Sequence, residues 1–252
     1  MSTVTGLLTA NAARWKVAKL TRASEFVPVA KRLVAAKARY QAVAAKTGVP
    51  WFVIAVIHQR ESSQNFSRSL AQGDPWNQVS THVPKGRGPF KSWEDAAIDA
   101  LVNCAPYASR WRDWSPGGTM TLLEQYNGLG YASKGLPSPY VWSGTDQYVK
   151  GKYIADGVFS ASAVDKQLGC AGLIMAMAAL DPSISFGGNV PVLPDAPVPQ
   201  TKPPVSKTDK AVVATSAAAA GAATAQYGIW IGVGVAALLI VSAFLYFKFV
   251  RK

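Results

Sequence analysis

The sequence predicts a mainly α-helical fold, and three observations carry that prediction. The run WFVIAVIHQRES at 51–62 is apolar on all sides through Val53, Ile54, Val56 and Ile57, the pattern of a central, buried helix rather than an amphipathic surface one. Helix punctuation frames this run and its neighbours. Gly48 suits the end of one helix and Pro50 the first position of the next, while Ser92 caps WEDAAIDAL with Asp95 three residues on. After Asp181 the composition breaks: seven prolines fall between 182 and 204, and 20 uncharged residues follow at 228–247. The 252 residues therefore accommodate one domain of ordinary size plus appendages.

Taken in order, residues 1–25 form a basic N-terminal arm. Arg14, Trp15, Lys16, Lys19 and Arg22 alternate with Ala, Val and Leu, which suits either a segment lying on a polyanion or a solvated lead-in. No basic leader precedes a sustained apolar run, so no ordinary secretory signal is read. Residues 29–47 predict a basic helix with Leu33, Val34, Tyr40, Val43 and Ala44 as its apolar stripe. The 51–62 helix comes next, then an irregular stretch at 64–91 rich in Gly, Pro, Asn and Ser. Further helices are expected at 92–104, 119–126, 145–153 and 162–180. Residues 182–227 read as a Pro/Ala-rich, semi-rigid linker. The run 228–247 amounts to about 30 Å of helix, the thickness of a bilayer's hydrocarbon core. Trp230 and Tyr246 sit where interfacial aromatics belong, and the basic tail 248–252 follows with Lys248, Arg251 and Lys252. The expectation is a single-pass C-terminal transmembrane helix.

Composition narrows the function classes. Apolar content of 49% supports a core, and a net charge of +12 favours polyanions: nucleic acid, anionic lipid or an acidic wall polymer. The two cysteines, Cys104 and Cys170, lack metal-site spacing and read as buried thiols, or as one disulfide in an oxidising compartment. His58 and His82 are the only histidines, and no HExxH is present, so no metal and no cofactor is expected. KGRGPF at 85–90 lacks Walker spacing, no GxSxG elbow occurs, and no zinc-finger or RNA-binding signature supports a specific nucleic-acid partner.

Glu61 is one of four glutamates, with Glu25, Glu94 and Glu124. It falls four residues after Ile57 and seven after Ile54, on the same helix face, near the negative end of the helix dipole. Partial desolvation and the dipole both favour its protonated form, as a general acid requires. The bland alternative is the first solvated residue after a core helix.

Residues 54–66, IAVIHQRESSQNF, resemble the helix of goose-type lysozymes and lytic transglycosylases that ends in a catalytic Glu-Ser pair. Tyr126-Asn127-Gly128 resembles the Tyr-Asn-Gly-type motif these enzymes set opposite the acid, and TDQYVKGKY at 145–153 is a looser echo of their tyrosine-bearing segment. The motifs keep the family's order and span roughly residues 26–181, while KGRGPF departs from the usual Gly-Leu-Met-Gln pattern. The resemblance implies a lysozyme-like α-lobe with a small β or irregular lobe at 64–91. It also implies cleavage of peptidoglycan glycan strands between N-acetylmuramic acid and N-acetylglucosamine.

In that chemistry Glu61 protonates the leaving oxygen. Asp74, in AQGDPWN, is either the second carboxylate or a turn former, since Gly-Asp-Pro is a strong turn signal. Thr81, seven residues on, would help position water, as in phage-type lysozymes. Without Asp74 the chain looks like a lytic transglycosylase, in which the sugar's own C6 hydroxyl attacks and leaves a 1,6-anhydro end. Ser62 would touch substrate or orient Glu61, and Tyr126 and Asn127 would bind the N-acetyl group or hold the acid. Glu124 is expected at the surface. Trp51, Trp76, Trp93, Trp111 and Trp114 are shared between core and groove. The resulting expectation is a membrane-anchored wall-degrading enzyme whose catalytic domain faces the periplasm or wall. A phage origin, with the domain carried in a virion membrane, would explain export without a signal. The alternative is an inactive lysozyme-like module that binds the wall or serves as a virion or membrane structural protein.

Overall fold

The computed structural model describes residues 4–186. The expected anchor at 228–247, the basic tail, and the linker beyond residue 186 lie outside the described residues. Among the described residues no single helix is long and apolar enough to cross a membrane. The architecture is mainly α-helical: α1 Val4–Val17, α2 Ala23–Ala35, α3 Lys37–Thr47, α4 Trp51–Ser62, α5 Trp93–Asn103, α6 Pro116–Tyr126, α7 Pro139–Trp142 and α8 Cys170–Ala178. One antiparallel hairpin, β1 Lys152–Ala155 with β2 Val158–Ser160, precedes α8.

Two helices are apolar all round and buried all round. Residues 51–58 of α4 and 170–177 of α8 are each buried without interruption, so these helices pack together at the centre and the others wrap them. α2 covers α8 through Phe26, Ala30 and Leu33, and α3 covers α4 and α5 through Tyr40, Val43 and Thr47. These are two different buried faces, which explains why the single helix expected at 29–47 is broken at Ala36. Gly48 ends α3 in the left-handed region at φ 72°, where a glycine is unstrained. Ser92 caps α5 by accepting from the Asp95 backbone N–H. α6 starts three residues earlier than expected because Ser115 caps it and Pro116 takes its first position.

The structure refines or departs from the sequence reading in several places, while 64–91 takes the irregular one of its two expected forms. The basic arm is, over Val4–Val17, a helix packed on α6 with Leu7, Asn11 and Trp15 buried. The approach is close: a Cβ on Gly117 would lie 2.8 Å from the Leu8 carbonyl oxygen. Residues 64–91 form irregular loops with one isolated bridge, Arg68 to Pro75, and no sheet. The segment 145–153 is turn and strand, not helix, and α8 begins at Cys170, eight residues after the expected start. The core also runs past Asp181. Ile184 and Phe186 are buried, with Phe186 set 5.1 Å from Trp15 and 5.2 Å from Phe52 between ring centroids. Cys104 and Cys170 are buried free thiols.

Candidate active site

Glu61 occupies the last turn of α4, where the helix leaves the core and its side chain becomes partly exposed. Its Oε1 accepts a 2.7 Å hydrogen bond from the Tyr140 hydroxyl, across 79 residues of sequence. Burial pushes the Glu61 carboxyl above its ordinary pKa, against the opposing pull of the Tyr140 bond and the Arg60 charge. The neighbouring groups respond. Burial, then the Glu61 charge, drives Tyr140 and Tyr126 up, and burial pushes the Cys170 thiol to about 12. The Tyr126 hydroxyl is buried without a hydrogen-bond partner. Asn127 caps the end of α6 and is exposed.

A cleft of about 470 Å³ is lined by Tyr140, which contacts this carboxyl, and by Arg60, which precedes it, while Glu61 itself is not among its lining residues. Arg60, Asn127, Tyr131, Tyr140, Lys152 and Tyr153 line it. Tyr131 and Tyr153 meet edge to face at 5.1 Å, and their hydroxyls are tied to backbone, Tyr131 accepting from the Tyr153 N–H and Tyr153 donating to the Gly130 carbonyl. None of the five tryptophans considered from sequence lines the cleft; its aromatic surface is made of tyrosines. Beneath it Arg60 reaches the Asp165 carboxylate at 3.2 Å and the Leu168 carbonyl at 3.3 Å, and its guanidinium lies 4.6 Å from the centre of the Tyr140 ring. Lys152 adds a second cation on Asp165 at 3.1 Å. Burial works against the Asp165 charge, but Arg60 and Lys152 outweigh it and hold the carboxyl below its ordinary pKa.

The other sequence candidates are placed differently. Asp74 is buried in the 64–91 loops with both oxygens engaged: Oδ2 accepts from the backbone N–H groups of Thr81 and His82, and Oδ1 from His82 Nδ1 at 2.6 Å. Burial raises its pKa, but these bonds, those of His82 foremost, bring it below the ordinary value. Both oxygens of Asp74 thus hold its own loop together, the bonding that a turn former makes. Thr81 does sit with it, through backbone and not through its hydroxyl. The Ser62 hydroxyl donates back to the His58 carbonyl, one turn earlier, instead of to Glu61. His58 is fully buried against Tyr40, Phe66 and Trp93, and desolvation lowers its pKa to about 4, so it stays a neutral packing residue at pH 7. Glu124, expected at the surface, is fully buried between α6 and α1, and burial raises its pKa to about 7.

The tyrosine that touches Glu61 is Tyr140 in PSPYVW, not Tyr148 in TDQYVKGKY. Tyr148 instead donates to the Gly151 carbonyl and accepts from the Asp165 backbone N–H. A signal for the hairpin was present: Asp156-Gly157 between KYIA and VFS is a hairpin-turn dipeptide flanked by strand formers. Among the described residues no group of three His, Cys, Asp or Glu side chains is placed to hold a metal ion. No family model, curated protein or solved structure matches the chain.

Proposed function

We propose that this domain cleaves glycosidic bonds in peptidoglycan strands with Glu61 as the single acid–base group, in the manner of a lytic transglycosylase. The observation that carries the proposal is one carboxyl raised in pKa by burial and held by the hydroxyl of a tyrosine that lines the cleft. A carboxyl raised in this way keeps its proton to higher pH than a solvated glutamate does, and can give it to a leaving glycosidic oxygen. The bond from C1 to that oxygen breaks, and the oxocarbenium-like centre at C1 is then attacked by the C6 hydroxyl of the same sugar. That hydroxyl's proton passes to the Glu61 carboxylate, so the acid is restored and no water is consumed. The satisfied state of Asp74 supports the one-carboxylate form over a two-carboxylate hydrolase. Tyrosines and Asn127 along the cleft are suited to pack on and hydrogen-bond a neutral sugar chain.

The remainder of the proposal comes from the sequence: the uncharged run 228–247 anchors the protein in a membrane, the cationic tail stays cytoplasmic, and the catalytic domain meets the wall outside. Incubating the detergent-solubilised full chain with purified peptidoglycan and weighing the soluble fragments tests the reading. Anhydro ends are the expected product. Reducing ends would replace it with a hydrolase. No fragments, with wall binding retained by Glu61→Gln, would replace it with a binding module.

A further inference from the structure

Two consecutive residues of α4 grip one tyrosine of α7 from different sides. Glu61 takes the Tyr140 hydroxyl, while Arg60 lays its guanidinium against the ring. Arg60 has little freedom to do otherwise. Its side chain is only 6% exposed, and its two terminal nitrogens are engaged by the Asp165 carboxylate and the Leu168 carbonyl. Asp165 is fixed in turn: its side chain is 4% exposed, its second oxygen takes Lys152 and the Gln167 backbone N–H, its own N–H is bound by the Tyr148 hydroxyl, and its carbonyl by Ser143. The turn before β1 and the end of α7 thus fix the backbone of Asp165, Lys152 of β1 and the loop before α8 fix its carboxylate, and that carboxylate aims one guanidinium.

We propose that Arg60, clamped by Asp165, is a positioning residue for this site, holding the Tyr140 ring where its hydroxyl meets Glu61. The inference rests on reading Glu61 as the acid. A buried ion pair is a poor source of stability, because removing both charges from water offsets most of their attraction. What it supplies is a fixed direction. A planar guanidinium can stack on a ring and bond in its own plane at once, which an ammonium cannot do. Arg60 lines the cleft with a side chain only 6% exposed and its terminal nitrogens spent on Asp165 and Leu168, so the role assigned to it runs through Tyr140.

A double-mutant cycle tests this. Arg60→Lys keeps the charge and loses the stacked plane; Tyr140→Phe keeps the ring and loses the hydroxyl. The Tyr140 bond favours the Glu61 carboxylate, so loosening it moves the Glu61 titration upward. Arg60→Lys is expected to raise the upper limb of the kcat/KM pH profile by about 0.5–1 pH unit and to lower kcat about 10- to 100-fold with KM little changed. In the Tyr140→Phe background the same substitution is expected to move nothing further. If Arg60→Lys does not fold, Arg60→Gln replaces it: its loss of charge shifts Glu61 in both backgrounds, and only the excess in the native background is the coupling. A coupling of zero with either variant overturns the proposal. Following the Glu61 carboxyl by carbon-detected NMR reads the same coupling without activity. A protein that cleaves no glycan would therefore fail the functional reading alone, whereas an absent coupling fails this one.

Discussion

Asn11 Nδ2 lies 3.4 Å from Glu124 Oε2 where neither residue has any exposed surface. This contact joins the first helix to α6, and it leaves the other glutamate oxygen, Oε1, without a partner. Asn11 also donates to Thr121 and accepts from the Trp142 indole at 3.3 Å, so one asparagine ties three helices.

The Glu124 carboxyl should make stability fall as pH rises. Its pKa is near 7 in the folded protein and near the ordinary glutamate value when unfolded. Between those two values the folded state binds more protons, so the stability present at low pH is lost as pH climbs through about 7. Glu61 contributes with the same sign. Glu124→Gln is expected to flatten this slope and to stabilise the domain at pH 8 relative to the parent protein. Urea unfolding from pH 4.5 to 8 measures it, and equal slopes would refute it.

Replacing Glu61 by Gln should cost about 10³-fold or more in glycan cleavage while leaving the melting temperature unchanged or higher, since a raised carboxyl is being neutralised. Activity within tenfold of the parent would remove Glu61 from the mechanism.

Asp74→Ala should behave in the opposite way. It frees two backbone N–H groups and His82, so a loss of about 1–3 kcal/mol is expected, with cleavage kept within a few-fold at temperatures where the protein is folded. Because the native Asp74 pKa is depressed, its contribution is present above pH 4 and disappears as pH falls through the folded value. Denaturant curves at pH 7 and pH 3 check the sign: the difference between variant and parent should be larger at pH 7.

Phe186→Ala should destabilise the domain by about 3 kcal/mol, as expected for emptying a buried aromatic site between Trp15 and Phe52. A change under 0.5 kcal/mol would mean that the core ends at Asp181, where the composition does.

What was legible in the sequence was local. The α4 helix, the Gly48 stop, the Ser92 cap and the isolation of Glu61 at a helix end follow from residues a few positions apart. What was not legible depended on distant partners. Tyr140 sits in a four-residue helix too short to show a period, and only the packing of α7 brings it to Glu61. Glu124 looks like a solvated position in LLEQY until α1 covers it, and α1 itself read as an arm because its burial rests on the single positions Leu7, Asn11 and Trp15 amid cations. Arg60 and Asp165 are 105 residues apart, and no spacing rule connects them. Asp74 and Thr81 were paired by sequence and are together in space, but through bonds that hold a loop.

The ring of Phe186, wedged between Trp15 and Phe52, gives the domain a mechanical character. A load arriving through the C-terminal side of the chain is passed by that wedge to the first helix and to the central helix that carries Glu61. Phe52 lies in the first turn of that central helix and Glu61 in its last, so one helix carries the wedge at one end and the candidate acid at the other.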